Sequence, residues 1–171
     1  MMKLRSRILA GMSVVAVAAG VAGAGLASAS ASLAAGAGRS GFEFLQLVTT
    51  SPNSHAPISL IATGVFAAGG VNQQGSKVDT AVFPDGTFNI AHSNGTHTLR
   101  FNPKACLGVF AQDGTYQLSH GTGAYAGISG HGIYRENITF VTARNSAGTC
   151  SNKLPPVAYQ QIIRAQGPVR L

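Results

Sequence analysis

The sequence contains no tryptophan, only two cysteines and only five acidic residues among 171. No closely spaced pair of carboxylates is present, which excludes the acid pair that glycoside hydrolysis requires. No Cys-x-x-Cys motif is present either, so the common dithiol redox motif is excluded. Hydrophobic residues make up 45% of the chain and charged residues 10%. This composition is too apolar and too weakly charged for intrinsic disorder, and it leaves little material for acid–base catalysis.

The basic residues form no run or stripe along the chain. The formal net charge of +7 includes three basic residues among the first seven positions. From Arg39 onward, nine basic and five acidic residues leave a net charge of +4. Nucleic-acid binding normally requires a basic patch or stripe. We therefore expect no nucleic-acid partner.

Residues 1–31 have the pattern of a secretory signal peptide. A basic start is followed by the apolar stretch Ile8–Leu26 and by two small-x-small cleavage sites, Ala27–Ala29 and Ala29–Ala31. A membrane anchor is the alternative, because about 19 apolar residues can just span a bilayer. We predict cleavage, a secreted protein with no membrane contact afterwards, a flexible lead-in over 32–41 and one domain over 42–171.

Cys106 and Cys150 both lie in the part that would be exported. Cysteines outside the cell usually pair, so we predict a disulfide between them. The loop that it closes would contribute roughly 4 kcal/mol in the chain-entropy description. A reactive thiol is the alternative.

Short apolar segments separated by turn signals predict an all-β domain, either a barrel or a sandwich. The turn signals are Pro84-Asp85-Gly86, Asn94-Gly95, Asp113-Gly114 and Leu154-Pro155-Pro156. Between them lie nine candidate strands: Phe42–Thr49, Ile58–Phe66, Lys77–Phe83, Thr87–Ser93, Thr96–Asn102, Leu107–Ala111, Thr115–His120, Gly132–Thr142 and Ala158–Gln166.

Two-residue turns at Asp85-Gly86, Asn94-Gly95 and Asp113-Gly114 would fix the register of these strands. Residues directly opposite each other in a hairpin share one face of the sheet. All three hairpins then agree on an apolar inner face, and we take its members as candidates for lining a ligand cavity. The apolar and aromatic candidates are Phe83, Phe88, Ile90, Leu99, Phe101 and Tyr116, and the polar candidates are Asp79, His92 and His97.

The segment Gly121–Gly132, together with Ala62–Phe66 and Phe83–Phe88, resembles small secreted actinobacterial proteins grouped with allene oxide cyclase-like and dirigent-like barrels. The resemblance extends over Ile58–Gln166. It implies an antiparallel up-and-down β-barrel of about eight strands with a central cavity. Neither Glu43 nor Glu136 matches the glutamate that the plant cyclases use, so the resemblance carries the fold and no catalytic residue.

The same glycine segment allows positive φ angles and close backbone approach. We expect it to form a compact reversal in which Tyr125 closes one end of the barrel. Gly121, Gly123 and Ala126 fit a dinucleotide-binding fingerprint in their spacing, but the glycines that follow disfavour the helix that this fingerprint needs. We therefore expect no nucleotide and no other cofactor.

The predicted register places Asp79, His92 and His97 in one row. Two imidazoles and a carboxylate could bind a metal, or Asp79 could orient His92 for proton transfer. A hydrated barrel rim is the third interpretation, and it is the one that we favour over a metal site.

The residues favour a disulfide-stabilised binding or structural module over an enzyme. Its partner would be a small apolar ligand, unless the interior is packed solid. A barrel isomerase or cyclase acting on an apolar substrate is the alternative. A cell-envelope interaction protein is the third possibility. No oligomeric state is predicted from the sequence.

Overall fold

The computed structural model describes residues 38–53, 55–151 and 153–171. The predicted signal peptide and most of the predicted lead-in lie outside these residues. The described residues form eight strands and one short 3-10 helix at Gly123–Tyr125. The strands are β1 (Ser40–Thr49), β2 (Ile58–Thr63), β3 (Ala68–Gln73), β4 (Val78–Phe83), β5 (Gly86–Asn102), β6 (Leu107–Ser119), β7 (Ser129–Thr142) and β8 (Pro156–Arg170). Within the described residues, no helix has the length and apolarity needed to cross a bilayer.

The eight strands form a closed antiparallel barrel. Each strand pairs with the next one along the chain, and β1 pairs with β8 to complete the ring. This order is the up-and-down topology, so the predicted fold class is confirmed. Closure pairs every strand with two neighbours over at least part of its length.

Two of the predicted hairpins are wrong. β5 runs through Asn94-Gly95 and β6 runs through Asp113-Gly114, and Asn94 lies directly opposite Gly114. The chain instead reverses at 103–106, where the Asn102 side chain accepts the amides of Lys104 and Ala105. β6 is paired with β5 on one side and with β7 on the other over most of its length, and β5 pairs with β6 both before Asn94-Gly95 and after it. These long ladders outweigh the local turn preference of Asn-Gly and Asp-Gly.

A β-bulge between Asn94 and His97 inserts one residue into β5. A bulge reverses which side chains face inward. As a result, His97, Leu99 and Phe101 share the face of Gln112, Phe110 and Gly108, their partners on β6. For β5, the face predicted from the false Asn94-Gly95 hairpin is therefore correct, although the pairings of that hairpin are wrong.

The register of the β4–β5 hairpin also differs from the prediction. Phe83 lies opposite Gly86, so the two-residue loop is Pro84-Asp85 and not Asp85-Gly86. This shift moves every pairing by two residues, and Asp79 lies opposite Ile90 instead of His92. Because the strand period is two, the inner and outer faces are unchanged.

β3 was missing from the sequence prediction because its glycines weaken the strand signal. A Cβ at Gly70 would lie 2.2 Å from the backbone oxygen of Val82. The close approach of β3 to β4 therefore requires the glycine that hid the strand.

One end of the barrel is closed by packed aromatic rings. Phe66, Phe83, Phe88 and Tyr125 contact one another with ring centroids 5.0 to 6.1 Å apart. Tyr125 comes from the reversal between β6 and β7, where Gly123 and Gly127 have positive φ. The prediction that Tyr125 closes one end is confirmed.

At the other end, β5 to β8 are longer than β2 to β4. β4 pairs with β5 only up to Ala91, so residues 92–102 of β5 have a strand neighbour on one side alone. Leu99 is therefore 61% exposed and Phe101 45% exposed, although both lie on the inner face. The predicted disulfide between Cys106 and Cys150 is confirmed at this end, where it joins the β5–β6 turn to the β7–β8 connection.

Candidate functional site

The open half of the barrel contains a cavity of about 170 Å³. Short β2 to β4 leave this end uncovered, while the aromatic rings fill the opposite end. The cavity combines apolar side chains with several polar ones. It is lined by Leu45, Leu47, Gln74, Gly75, Asp79, Ile90, His92, Asn94, Gln112, Tyr116, Tyr134, Glu136, Gln161, Ile163 and Ala165.

Asp79, at the start of β4, is held by three contacts. Asn72 donates a hydrogen bond to Oδ2 at 2.7 Å, and the Gly75 amide donates one to Oδ1 at 2.9 Å. His92 Nε2 lies 3.4 Å from the same Oδ1. Asn72 is itself fully buried, so the side chain that holds the carboxylate of Asp79 is fixed inside the barrel.

Glu136 on β7 supplies the second carboxylate of the cavity. Gln161 on β8 donates a hydrogen bond to its Oε1. Burial raises the pKa of Glu136, and the hydrogen bond from Gln161 and the nearby His92 partly offset that rise. Asp79 is also near enough to raise this pKa, so both carboxylates belong to one electrostatic site.

Tyr134 fixes a second polar network across the cavity. Its hydroxyl donates to Asn94 Oδ1 at 2.8 Å and accepts from Gln112 Nε2 at 2.9 Å. Asn94, Gly114 and Tyr134 form one row across β5, β6 and β7. A Cβ at Gly114 would lie 2.4 Å from the Tyr134 ring, so the glycine makes room for the ring to cross the strand.

Tyr116 lines the cavity, and its ring packs over Gly132, the residue opposite it on β7. A Cβ at Gly132 would lie 2.8 Å from the Tyr116 ring. Tyr116 is only 4% exposed, and its hydroxyl has no hydrogen-bond partner among the described residues. Burial, with a contribution from Glu43, raises the pKa of this tyrosine to about 12. The neutral hydroxyl is therefore available for hydrogen bonding throughout the physiological pH range.

Glu43 is a third interior acid, below the cavity. It is 0% exposed, and its Oε2 accepts the amide of Phe66 at 3.2 Å while Oε1 has no partner among the described residues. Burial raises its pKa to about 7, against smaller lowering effects of backbone amides. Glu43 is thus partly protonated near neutral pH, which reduces the cost of its burial.

Sequence reasoning missed Glu43 and Glu136 as site residues. Glu43 shares one face of β1 with Leu45 and Leu47, which indicates an inward position. Phe42 and Phe44 make the opposite face equally apolar, however. Glu136 likewise shares one face of β7 with Tyr134 and Ile138. The period-two pattern was therefore a usable signal for Glu136 and an ambiguous one for Glu43.

Four of the nine candidate residues line the cavity: Asp79, Ile90, His92 and Tyr116. Phe83 and Phe88 do not, because they pack against Phe66 and Tyr125 at the closed end. His97, Leu99 and Phe101 also do not, because the bulge and the length of β5 carry them beyond the cavity. The expected cavity wall of phenylalanines is therefore wrong, and the actual wall is aliphatic and polar.

A metal site made of Asp79, His92 and His97 is not formed. In the described parts of the chain, no group of three or more His, Cys, Asp and Glu side chains is placed to hold a metal ion. His97 lies beside Phe110, with ring centroids 6.0 Å apart, whereas His92 contacts Asp79. The two histidines have different surroundings because the bulge separates them.

No protein family model matches this sequence, and no curated protein and no solved structure matches it either. The function is therefore argued from the geometry and chemistry of the cavity.

Proposed function

We propose that this protein is an exported, disulfide-bonded β-barrel that binds a small molecule in the cavity at its open end. One observation carries the proposal. The cavity is lined by polar side chains that other residues hold in place, and among them Tyr116 has a buried hydroxyl with no partner in the described chain. A buried polar group without a partner costs about 1–3 kcal/mol, which a ligand atom would recover.

The polar groups are held in position before any ligand arrives. Asn72 and Gly75 fix Asp79, Gln161 fixes Glu136, and Gln112 with Asn94 fixes Tyr134. Such supporting hydrogen bonds reduce the entropy lost on binding. This arrangement favours a binding site over an incidental packing defect, which would be apolar.

The size of the cavity limits the ligand. A volume of about 170 Å³ is below the ~300–1,000 Å³ of typical ligand pockets. The ligand is therefore small, with an apolar part against Leu45, Leu47, Ile90 and Ile163 and a polar part facing the carboxylates.

Export is supported by two independent features. Residues 1–31 have the order of a secretory signal peptide, and the Cys106–Cys150 disulfide belongs to an oxidising compartment. Mass spectrometry of the protein from its own culture medium tests this part. We expect an N-terminus after Ala29 or Ala31, and an intact Met1 would contradict export with cleavage.

Ligand binding is tested by titrating the 15N-labelled protein with 1-hexanol, hexylamine and hexanoate while recording amide chemical shifts. We expect saturable shifts around the cavity with at least one probe. Ala165→Leu fills the cavity and should abolish them, whereas Ala158→Leu makes the same change at an exposed position of β8. Absence of saturable shifts with all three probes, or equal shifts in Ala165→Leu, would contradict the proposal.

A barrel isomerase or cyclase is a second candidate, in keeping with the resemblance to allene oxide cyclase-like barrels. The contact between Asp79 and His92 at 3.4 Å, beside Glu136, supports it because a base and an acid could face one substrate. Deuterium exchange at the α-carbon of cyclohexanone tests for such a base. We expect exchange faster than in buffer, lost in His92→Gln and kept in His97→Gln, and a rate equal to buffer would remove this candidate.

A further inference from the structure

Charge is segregated between the inside and the outside of the barrel. All nine basic residues from Arg39 onward are exposed. Of the five acids, Glu43 and Asp79 are buried and Glu136 is partly buried, and all three lie on inward positions. Among the described residues, the wall of the cavity includes two carboxylates and no lysine or arginine. A protein with a net positive charge thus has an acidic interior.

Neutral groups hold these carboxylates, with one exception. Asp79 accepts from an asparagine and a backbone amide, and Glu136 accepts from a glutamine. Of the described residues in the cavity wall, His92 alone has a side chain that can carry a positive charge. Buried carboxylates without a cationic partner are costly, because desolvation is repaid only by an opposite charge with good geometry. His92 can balance at most one of the two carboxylates in the cavity wall, which leaves a place for one further cation.

Tyrosines supply further groups that favour a cation. The buried Tyr116 hydroxyl has no partner among the described residues, and its oxygen can accept a hydrogen bond. Tyr134 also lines the cavity, and tyrosine ring faces attract ammonium groups. This observation is independent of the acids and points to the same kind of ligand.

We infer that the ligand of this cavity is a small organic cation, a primary amine with a short apolar chain. The inference rests on the proposed binding function and adds the class of the ligand. The ammonium group lies between Asp79 and Glu136, and the chain lies against Leu45 and Ile90. Amines are favoured over metal ions because the described residues offer no three-ligand group.

Hexylamine, 1-hexanol and hexanoate have the same chain length and differ in charge, so a comparison of their affinities reports the effect of charge alone. The test is to determine their dissociation constants at pH 7.5 by the same titration. We expect hexylamine to bind about tenfold more tightly than 1-hexanol, as a charge-assisted hydrogen bond provides, and hexanoate not to bind. Glu136→Gln should lower the ratio of hexylamine affinity to 1-hexanol affinity about tenfold, because the ammonium group loses a charged acceptor and the hydroxyl loses only a hydrogen-bond partner.

Asp113→Asn is the matched control, because Asp113 is an exposed acid on the outer face of β6. It should leave the affinities of hexylamine and 1-hexanol unchanged. Retention of the natural amide chemical shifts away from the cavity reports that Glu136→Gln is folded. If 1-hexanol or hexanoate binds in the cavity as tightly as hexylamine, the inference is overturned while the binding function stands. If none of the probes binds, both are overturned.

Discussion

The carboxylate of Asp79 lies 3.4 Å from the imidazole of His92, although the two residues are not paired across the β4–β5 ladder. Asp79 lies opposite Ile90, so the contact with His92 is diagonal. The same carboxylate accepts hydrogen bonds from buried Asn72 and from the Gly75 amide. Asp79 therefore connects the cavity to the β3–β4 loop that forms part of its rim.

Removing this carboxylate should loosen the rim. Asp79→Ala leaves the buried Asn72 amide without its acceptor, which we expect to cost about 1–3 kcal/mol in the free energy of unfolding. The Gly75 amide should exchange with deuterium markedly faster than in the natural protein. Asp113→Ala, at an exposed position, should change neither quantity. Unchanged exchange at Gly75 would show that Asp79 does not hold the loop.

The buried Glu43 should make stability depend on pH. Its pKa is about 7 in the folded protein and close to the ordinary 4.5 in the unfolded chain. Between these values the folded protein keeps a proton that the unfolded chain has lost, so stability falls as the pH rises. The total fall attributable to Glu43 is at most about 3 kcal/mol and is complete above pH 7.

Glu43→Gln should remove this part of the pH dependence, because glutamine keeps an acceptor for the Phe66 amide and does not ionise. Urea unfolding at pH 5 and at pH 8 measures the effect. We expect the variant to be more stable than the natural protein at pH 8. A smaller slope should remain from Glu136, whose pKa burial also raises. A variant with the full natural pH dependence would contradict this role of Glu43.

The inner faces of β4 and β5 could be predicted from the sequence, whereas the inner face of β1 was ambiguous and the lengths of the strands could not be predicted. Alternation places Asp79, Ala81 and Phe83 on one face whichever two-residue loop follows, because a shift of two residues preserves the face. Asn94-Gly95 carries a strong local turn signal, yet its strand is hydrogen-bonded to β6 before and after the bulge. No local pattern reports such a pairing.

The candidate site was predictable only in part for the same reason. Asp79 and His92 come together under the predicted register and under the true one, since both lie near the start of the β4–β5 ladder. Glu136 belongs to β7, so its place beside them depends on barrel closure. The sequence correctly places Phe88 on the inner face. That four aromatic rings fill one end of the barrel depends on side-chain packing, which the strand pattern does not predict.

Shortening a phenylalanine side chain to alanine should affect the free energy of unfolding differently at the two ends of the barrel. Phe88 is 0% exposed within the aromatic cluster, and Phe101 is 45% exposed beyond the barrel mouth. Phe88→Ala should lower the free energy of unfolding by about 3–5 kcal/mol. Phe101→Ala should cost less than about 1 kcal/mol. Chemical denaturation of both variants provides the comparison, and equal losses would mean that the barrel has no solid closed end.

We expect a small amine to bind in the open-end cavity and not on the outer surface of the barrel. Intermolecular nuclear Overhauser effects between hexylamine and the protein methyl groups test this directly. We expect contacts to the methyl groups of Ile90 and Ile163, which line the cavity. Contacts confined to Ile61 and Ile133, which lie on the outer surface, would place the amine in the external groove and contradict the account.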